Sequence, residues 1–172
     1  MELEKIGIPK SQRNVLAQKG ICSIEDILNY LPYKYNFYNR PCYLNPAISG
    51  KSAAVIGKCK SVKKGKTNNV YMVKMCIEEE KTHLPLFVTW MGGIWYYEKI
   101  EKSKDKMVMV AGPLSHKILE NTGKECYFMS NPDVFAVEAE IKDALKIYPV
   151  YRKIKGISEE RMLTYISNRL EE

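Results

Sequence analysis

Residues 84–112 read Leu84-Pro-Leu-Phe-Val-Thr-Trp-Met-Gly-Gly-Ile-Trp-Tyr-Tyr-Glu-Lys-Ile-Glu-Lys-Ser-Lys-Asp-Lys-Met-Val-Met-Val-Ala-Gly112. A short run rich in β-branched and aromatic residues (Leu84–Trp90) is followed by a Gly92-Gly93 turn and one or two turns of helical pattern around Trp95–Ile100. A second apolar run then spans Met107–Gly112. Outward from this stretch the same kind of run recurs at Ala53–Cys59 and Tyr71–Ile77 on one side and at Glu125–Met129 on the other. Three strands, a short helix and two strands is the order of a five-stranded oligonucleotide/oligosaccharide-binding barrel, the OB-fold. A generic small β-barrel with a chance helical turn reads from the same pattern.

The flanks are helical. Ser23 with Asp26 three residues on forms an approximate capping box before Ile24, Ile27, Leu28 and Leu31, and Pro32 stops the helix. With an earlier helix ending at Gly20, this makes a helical hairpin, joined to the barrel through Tyr33, Tyr35, Phe37 and Tyr38. After the barrel, Tyr148-Pro-Val-Tyr is extended, Gly156 turns the chain, and Ser158 caps a final helix. Its stripe of Met162, Leu163, Ile166 and Leu170 needs a partner, either in residues beyond the chain or in the first segment. The expected fold class is mainly β with flanking helices (α+β). Its three parts are residues 1–50 as hairpin and aromatic connection, 51–135 as barrel, and 136–172 as linker and helix.

At 172 residues, with 45% hydrophobic and 27% charged residues, the chain is globular rather than disordered. No run is apolar and long enough to cross a bilayer, and the start lacks the order of a secretory signal, so an intracellular, cytoplasmic protein is expected. Cysteines at 22, 42, 59, 76 and 126 form no close pair and read as free thiols. The net charge of +7 divides as +3 over residues 1–51, +4 over 52–135 and 0 over the rest. That surplus permits nucleic acid or anionic lipid as a partner without choosing between them.

Strings that carry catalysis are absent: there is no phosphate-binding loop, dinucleotide fingerprint, nucleophile elbow or zinc-protease motif. His83 and His116 are isolated, and Glu78-Glu79-Glu80 reads as a solvated turn between strands rather than a metal site. Neither an enzyme, a metal nor a cofactor is expected of this chain. Binding features are stronger. Lys58, Lys60, Lys63, Lys64 and Lys66 fall between the first two strand runs with no acid among them, where a loop could follow DNA phosphates; the same string also reads as a solubilising loop. Trp90-Met-Gly-Gly-Ile-Trp-Tyr-Tyr97 holds both tryptophans of the chain. Rings at such a turn either stack on unpaired bases or close the barrel end.

Several strings together resemble the amino-terminal region of the RecG family of ATP-dependent DNA helicases. They are Ile6-Gly-Ile-Pro-Lys10, Leu16-Ala-Gln-Lys-Gly-Ile-Cys-Ser-Ile-Glu-Asp-Ile-Leu-Asn-Tyr-Leu-Pro-Tyr-Lys-Tyr35, Ser130-Asn-Pro-Asp133 and Tyr148-Pro-Val-Tyr-Arg-Lys-Ile-Lys-Gly-Ile-Ser158. The set runs in order over nearly the whole chain. The resemblance implies a wedge domain that grips a fork or junction and splits its strands by steric blocking and base stacking, in DNA repair, recombination and branch migration. It implies branched DNA and the helicase's own motor domains as partners, a nucleoid-associated location and no membrane; ATP and Mg²⁺ would bind the motor, whose strings this chain lacks. The family's two stacking aromatics correspond to Trp90 and to Trp95 or Tyr96. Here the family's Asn-Gln between them is replaced by Gly92-Gly93, and Pro9 stands where a second glycine is usual near the start. A protein-interaction module and a single-stranded RNA-binding OB domain are the competing functions.

Overall fold

The computed structural model describes residues 3–92 and 97–170. In chain order the elements are α1 (Lys10–Ala17), α2 (Ile24–Leu28), β1 (Lys34–Phe37), β2 (Ser52–Thr67), β3 (Val70–Glu79) and β4 (Pro85–Met91). They continue with α3 (Tyr97–Glu101), β5 (Met107–Ile118), β6 (Glu125–Ser130), β7 (Val134–Val137), α4 (Glu140–Ala144), β8 (Ile147–Val150) and α5 (Glu159–Leu170). They fall into two compact units that cut the chain elsewhere than the three consecutive segments read from sequence. One comprises both chain ends, up to Tyr35 and from Pro149 on; the other runs from Asn36 to Tyr148. β1 and β8 pair as a two-stranded sheet of their own.

The barrel closes as a ring. β2 runs antiparallel to β3, β3 to β4, β4 lies parallel to β6, β6 is antiparallel to β5, and β5 returns to β2. This is the OB order, with α3 lying between the third and fourth barrel strands in the chain and Ile100 fully buried. β7 adds a sixth strand along Val108–Ala111 of β5. Alternation sorts the side chains: Val73, Met75 and Ile77 of β3 and Leu86, Val88 and Trp90 of β4 point inward. Closure requires close backbone approach at Gly57, where β2 pairs with β5 and β3 at once. A Cβ there would lie 2.2 Å from the Glu78 carbonyl oxygen.

In the helical unit Ser23 and Asp26 form the capping box, each accepting a backbone N–H of the other residue. α2 is shorter than its apolar pattern predicts. It ends at Leu28, and Leu28 and Leu31 face solvent while Ile24 and Ile27 are buried. α5 finds its partner within the chain: Met162 is buried and Ile166 and Tyr165 pack against a cluster that includes Leu3, Ile8, Leu16 and Ile24. The Tyr165 hydroxyl donates to Gln12 Oε1, and Ser158 Oγ caps the helix by accepting from Arg161 N at 3.3 Å. All five cysteines are free; Cys59 and Cys126 are buried, Cys42 and Cys76 partly so, and Cys22 is exposed. Among the described residues no helix is long and apolar enough to cross a membrane.

Candidate nucleic-acid interface

The lysine string is strand, not loop. β2 continues through it to Thr67, because at an irregularity between Cys59 and Ser61 the strand leaves β5 and takes β3 as its remaining partner. The opposite edge stays paired along a long hairpin with β3. The hairpin turns at Asn68-Asn69, both left-handed at φ 48° and 63°, the conformation that matches strand twist in a two-residue turn. An asparagine pair between two strand runs is a legible turn signal. Lysine density alone concealed it.

A strand alternates its side chains, so the five lysines do not form one patch. Lys64 lies opposite Val73 and Lys66 opposite Tyr71 on one face, while Lys63 lies opposite Lys74 on the other. Lys64 Nζ stands 4.7 Å from the centroid of Tyr97, and Lys66 Nζ 5.2 Å from that of Tyr71. Lys58 stays at the barrel end of the strand, opposite Met107 and Glu78, and Lys60 is neutralised by Glu78 at 3.2 Å. Among the described residues no carboxylate is within ion-pair distance of Lys63, Lys64, Lys66 or Lys74. Like charges directly opposite, as at Lys63 and Lys74, cost roughly 0.2–1 kcal/mol in a sheet.

Trp90 is a core residue, which corrects its expected place among exposed stacking rings. It is 6% exposed, in the inward register of Leu86 and Val88, with its ring edge-on to Phe135 at 5.4 Å and 76°. A ring held that way closes the barrel and has no free face for a base. Trp95 and Tyr96 lie outside the described residues. Of the rings in that aromatic string, Tyr97 is described beside a lysine, Lys64; its hydroxyl donates to Glu101 at 3.0 Å, and that hydrogen bond is the main cause of its raised pKa.

Asn131 is a positioning residue that the sequence reading quoted without a role. Its Oδ1 accepts from Met91 N at 2.9 Å and its own N–H donates to Thr89 O at 2.7 Å, pinning the end of β4 just before Gly92 turns left-handed at φ 80°. Two residues on, Asp133 accepts the Tyr38 hydroxyl at 2.7 Å. Burial, then that hydrogen bond, raises the Tyr38 pKa far above the ordinary phenol range. The string Ser130-Asn-Pro-Asp133 thus supports the site from behind.

The acidic run is structural. Glu79 is buried, and its carboxylate accepts from Lys81 N at 3.0 Å, from Thr82 N at 2.7 Å and from the Thr82 hydroxyl. Burial pushes its pKa up, but these hydrogen bonds outweigh it and the net shift is downward. His83 is exposed, with Nδ1 3.7 Å from Glu78, and the His116 ring rests on Tyr127. Among the described residues no three His, Cys, Asp or Glu side chains could share a metal ion. The arrangement suits electrostatic and stacking contacts with a polyanion.

Comparison with known proteins bears on the family and the fold. A family described as the RecG wedge domain matches residues 4–172. The ATP-dependent DNA helicase RecG of Thermotoga maritima (strain ATCC 43589 / DSM 3109 / JCM 10099 / NBRC 100826 / MSB8) is 26% identical over 156 residues, 91% of this chain and 19% of that protein. A structure of RecG bound to a three-way DNA junction superposes with a TM-score of 0.71 at 24% identity, covering 95% of this chain and 21% of that one. The chain therefore spans about a fifth of the length of the relatives it matches.

Proposed function

From the premise that the chain belongs to the RecG wedge-domain family, we propose that it binds branched DNA, a fork or junction, and holds the branch point against the end of its barrel. The β2–β3 hairpin supplies phosphate contacts from Lys63, Lys64 and Lys66, which act without regard to sequence and weaken as salt rises. Lys58 contributes less, at the barrel end of the strand, and Lys60 less again, since Glu78 already answers its charge. The rings that cap unpaired bases are Tyr97, beside Lys64 and packed against the core cluster that holds Trp90, and Trp95 or Tyr96. Strand separation is steric, since unstacking a base step costs a few kcal/mol and stacking on a side chain returns about 1–3 kcal/mol per base.

The observation that carries this reading is that two uncompensated lysines on one face of the hairpin each meet a tyrosine ring, Lys64 that of Tyr97 on α3 and Lys66 that of Tyr71 across the hairpin. On this reading the parent acts in DNA repair and recombination, with ATP and Mg²⁺ held by motor domains and the nucleoid as its place of work. The test is equilibrium binding of the chain to a three-way fork, a linear duplex, single-stranded DNA and single-stranded RNA at two salt concentrations. Preference for the fork is expected at both. Equal affinity for fork and linear duplex overturns the proposal, and preference for single-stranded RNA replaces it with an RNA-binding function.

A further inference from the structure

α3 is a single short helix, Tyr97–Glu101, and a helix of that length has no stability of its own. Its orientation therefore comes from what it touches. Ile100 is buried in the barrel core. The turn that follows is tied to β2, where Asp105 N donates to Cys59 O and Cys59 N donates to Lys106 O, both at 2.9 Å. Successive helical residues are about 100° apart, so Lys99 leaves the helix about 200° from Tyr97, on the other flank. There Lys99 Nζ stands 2.9 Å from Glu140 Oε2 and 5.7 Å from the centroid of the Phe135 ring. The same carboxylate oxygen accepts from Val137 N at 3.1 Å, so one side chain ties α3 to the end of β7 and the start of α4. The hydrogen bond from Lys99, then that from Val137 N, holds the Glu140 carboxyl below its ordinary range. Phe135 in turn is the ring that meets Trp90 edge-on. Among the described residues this is the one ion pair that joins α3 to another element. The Lys102–Glu98 pair, at 3.9 Å, connects the helix only to the residue after it, and Lys106–Glu138, at 3.6 Å, lies beyond it.

We infer that Lys99 and Glu140 are positioning residues for the branch-point contacts: their ion pair sets the orientation of α3, and with it the place of the Tyr97 ring beside Lys64. The inference rests on the proposed function for its ligand, while the contacts stand by themselves. Tyr97 and Lys99 lie on opposite flanks of one short helix, so a roll of α3 that lifts Lys99 from Glu140 also moves the Tyr97 ring relative to Lys64. Ile100 alone is a pivot that permits such a roll; an anchor on the far flank stops it. A pair whose two side chains are about half exposed adds little to folding stability. It acts on geometry instead, and a binding side chain works only when held within about 10–20° of its productive orientation. Glu140 gives this role a sign of its own. A carboxylate repels a polyanion, so neutralising it should tighten DNA binding by charge alone, whereas release of α3 weakens it.

The experiment is fluorescence anisotropy of the whole chain with a labelled three-way fork and a labelled linear duplex. Lys99→Met keeps an apolar stem on Phe135 without the charge, and Glu140→Gln keeps an acceptor for Val137 N. Both are expected to weaken fork binding about threefold and to leave linear duplex within about twofold. Lys99→Arg, which keeps the charge and the donors, is expected to retain the fork affinity of the unaltered chain. Lys102→Met removes the same charge one residue beyond α3 and is expected to leave the ratio of fork to duplex affinity unchanged. In a Tyr97→Ala background the effect of Lys99→Met is expected to shrink, because the ring it positions is gone. Thermal unfolding of each variant close to that of the unaltered chain separates lost position from lost fold. Unchanged or tighter fork binding by Glu140→Gln, an equal loss in Lys102→Met, or full additivity of Lys99→Met with Tyr97→Ala overturns the inference. If the unaltered chain prefers the fork and that preference survives in both Lys99→Met and Glu140→Gln, the branched-DNA function stands without this positioning. If the unaltered chain shows no preference for the fork, the branched-DNA function falls and the positioning role falls with it.

Discussion

The two halves of β2 obey different rules although they belong to one continuous strand. From Ser52 to Lys58 it pairs with β5 as the barrel closes, with β3 joining at Gly57 and Lys58, and Ala53, Ala54, Val55 and Gly57 are buried. From Cys59 to Thr67 its ladder is with β3 alone, and the four lysines among these nine residues face solvent. The register irregularity between Cys59 and Ser61 separates them. Place in the closed barrel, rather than strand propensity, thus divides structural from binding work: the segment held against β5 lies in the barrel wall and buries its side chains, while the hairpin that runs beyond β5 presents both faces.

Substitutions can break that division. Trp90 is the sharpest case, because it shares a row with Lys64 and Val73 yet is buried like the first half. Trp90→Ala is expected to lower stability by about 3–5 kcal/mol, read by denaturant unfolding; full stability with selective loss of fork affinity would return Trp90 to the binding surface. Gly57→Ala is expected to cost up to about 3 kcal/mol in the same assay, since its new methyl would overlap the Glu78 carbonyl. Substituting Lys63, Lys64 and Lys66 together by Ala should do the opposite, leaving stability nearly unchanged while flattening the salt dependence of fork binding by about 2.7 in log–log slope. Asn131→Ala should cost about 1 kcal/mol through the unpaired Met91 N–H and weaken fork binding by loosening the end of β4. The smallest effect concerns Glu79. Its folded pKa lies below the ordinary carboxylate value, so its contribution is present above that value and lost as pH falls through the folded one. Glu79→Gln is therefore expected to flatten the acid side of a melting-temperature profile below about pH 5, and an unchanged profile would remove Glu79 from the turn's support.

The barrel was legible because period-two runs and one short helix occur in an order that few small folds share. The capping box at Ser23 and the turn at Gly156 were legible for the same local reason. Local signals failed where neighbours far along the chain decide. Leu28 and Leu31 continue the helical period but have nothing to bury against, so the helix ends early and they face solvent. The lysine string resembled a loop because its composition is polar, whereas its conformation is imposed by β3 and the Asn68-Asn69 turn.

By itself the sequence determined the strand order, the helix caps, the positive balance of the first two segments and the family, since each depends on residue type and spacing along the chain. Only the tertiary structure decided which ring is core and which lysine meets which ring. Alternation supplies a strand with two faces but does not say which faces inward. Closure of β2 against β5 settles that for the whole barrel, turning Trp90 in and Phe87 out, and aligning Lys64 with Tyr97 and Lys63 with Lys74.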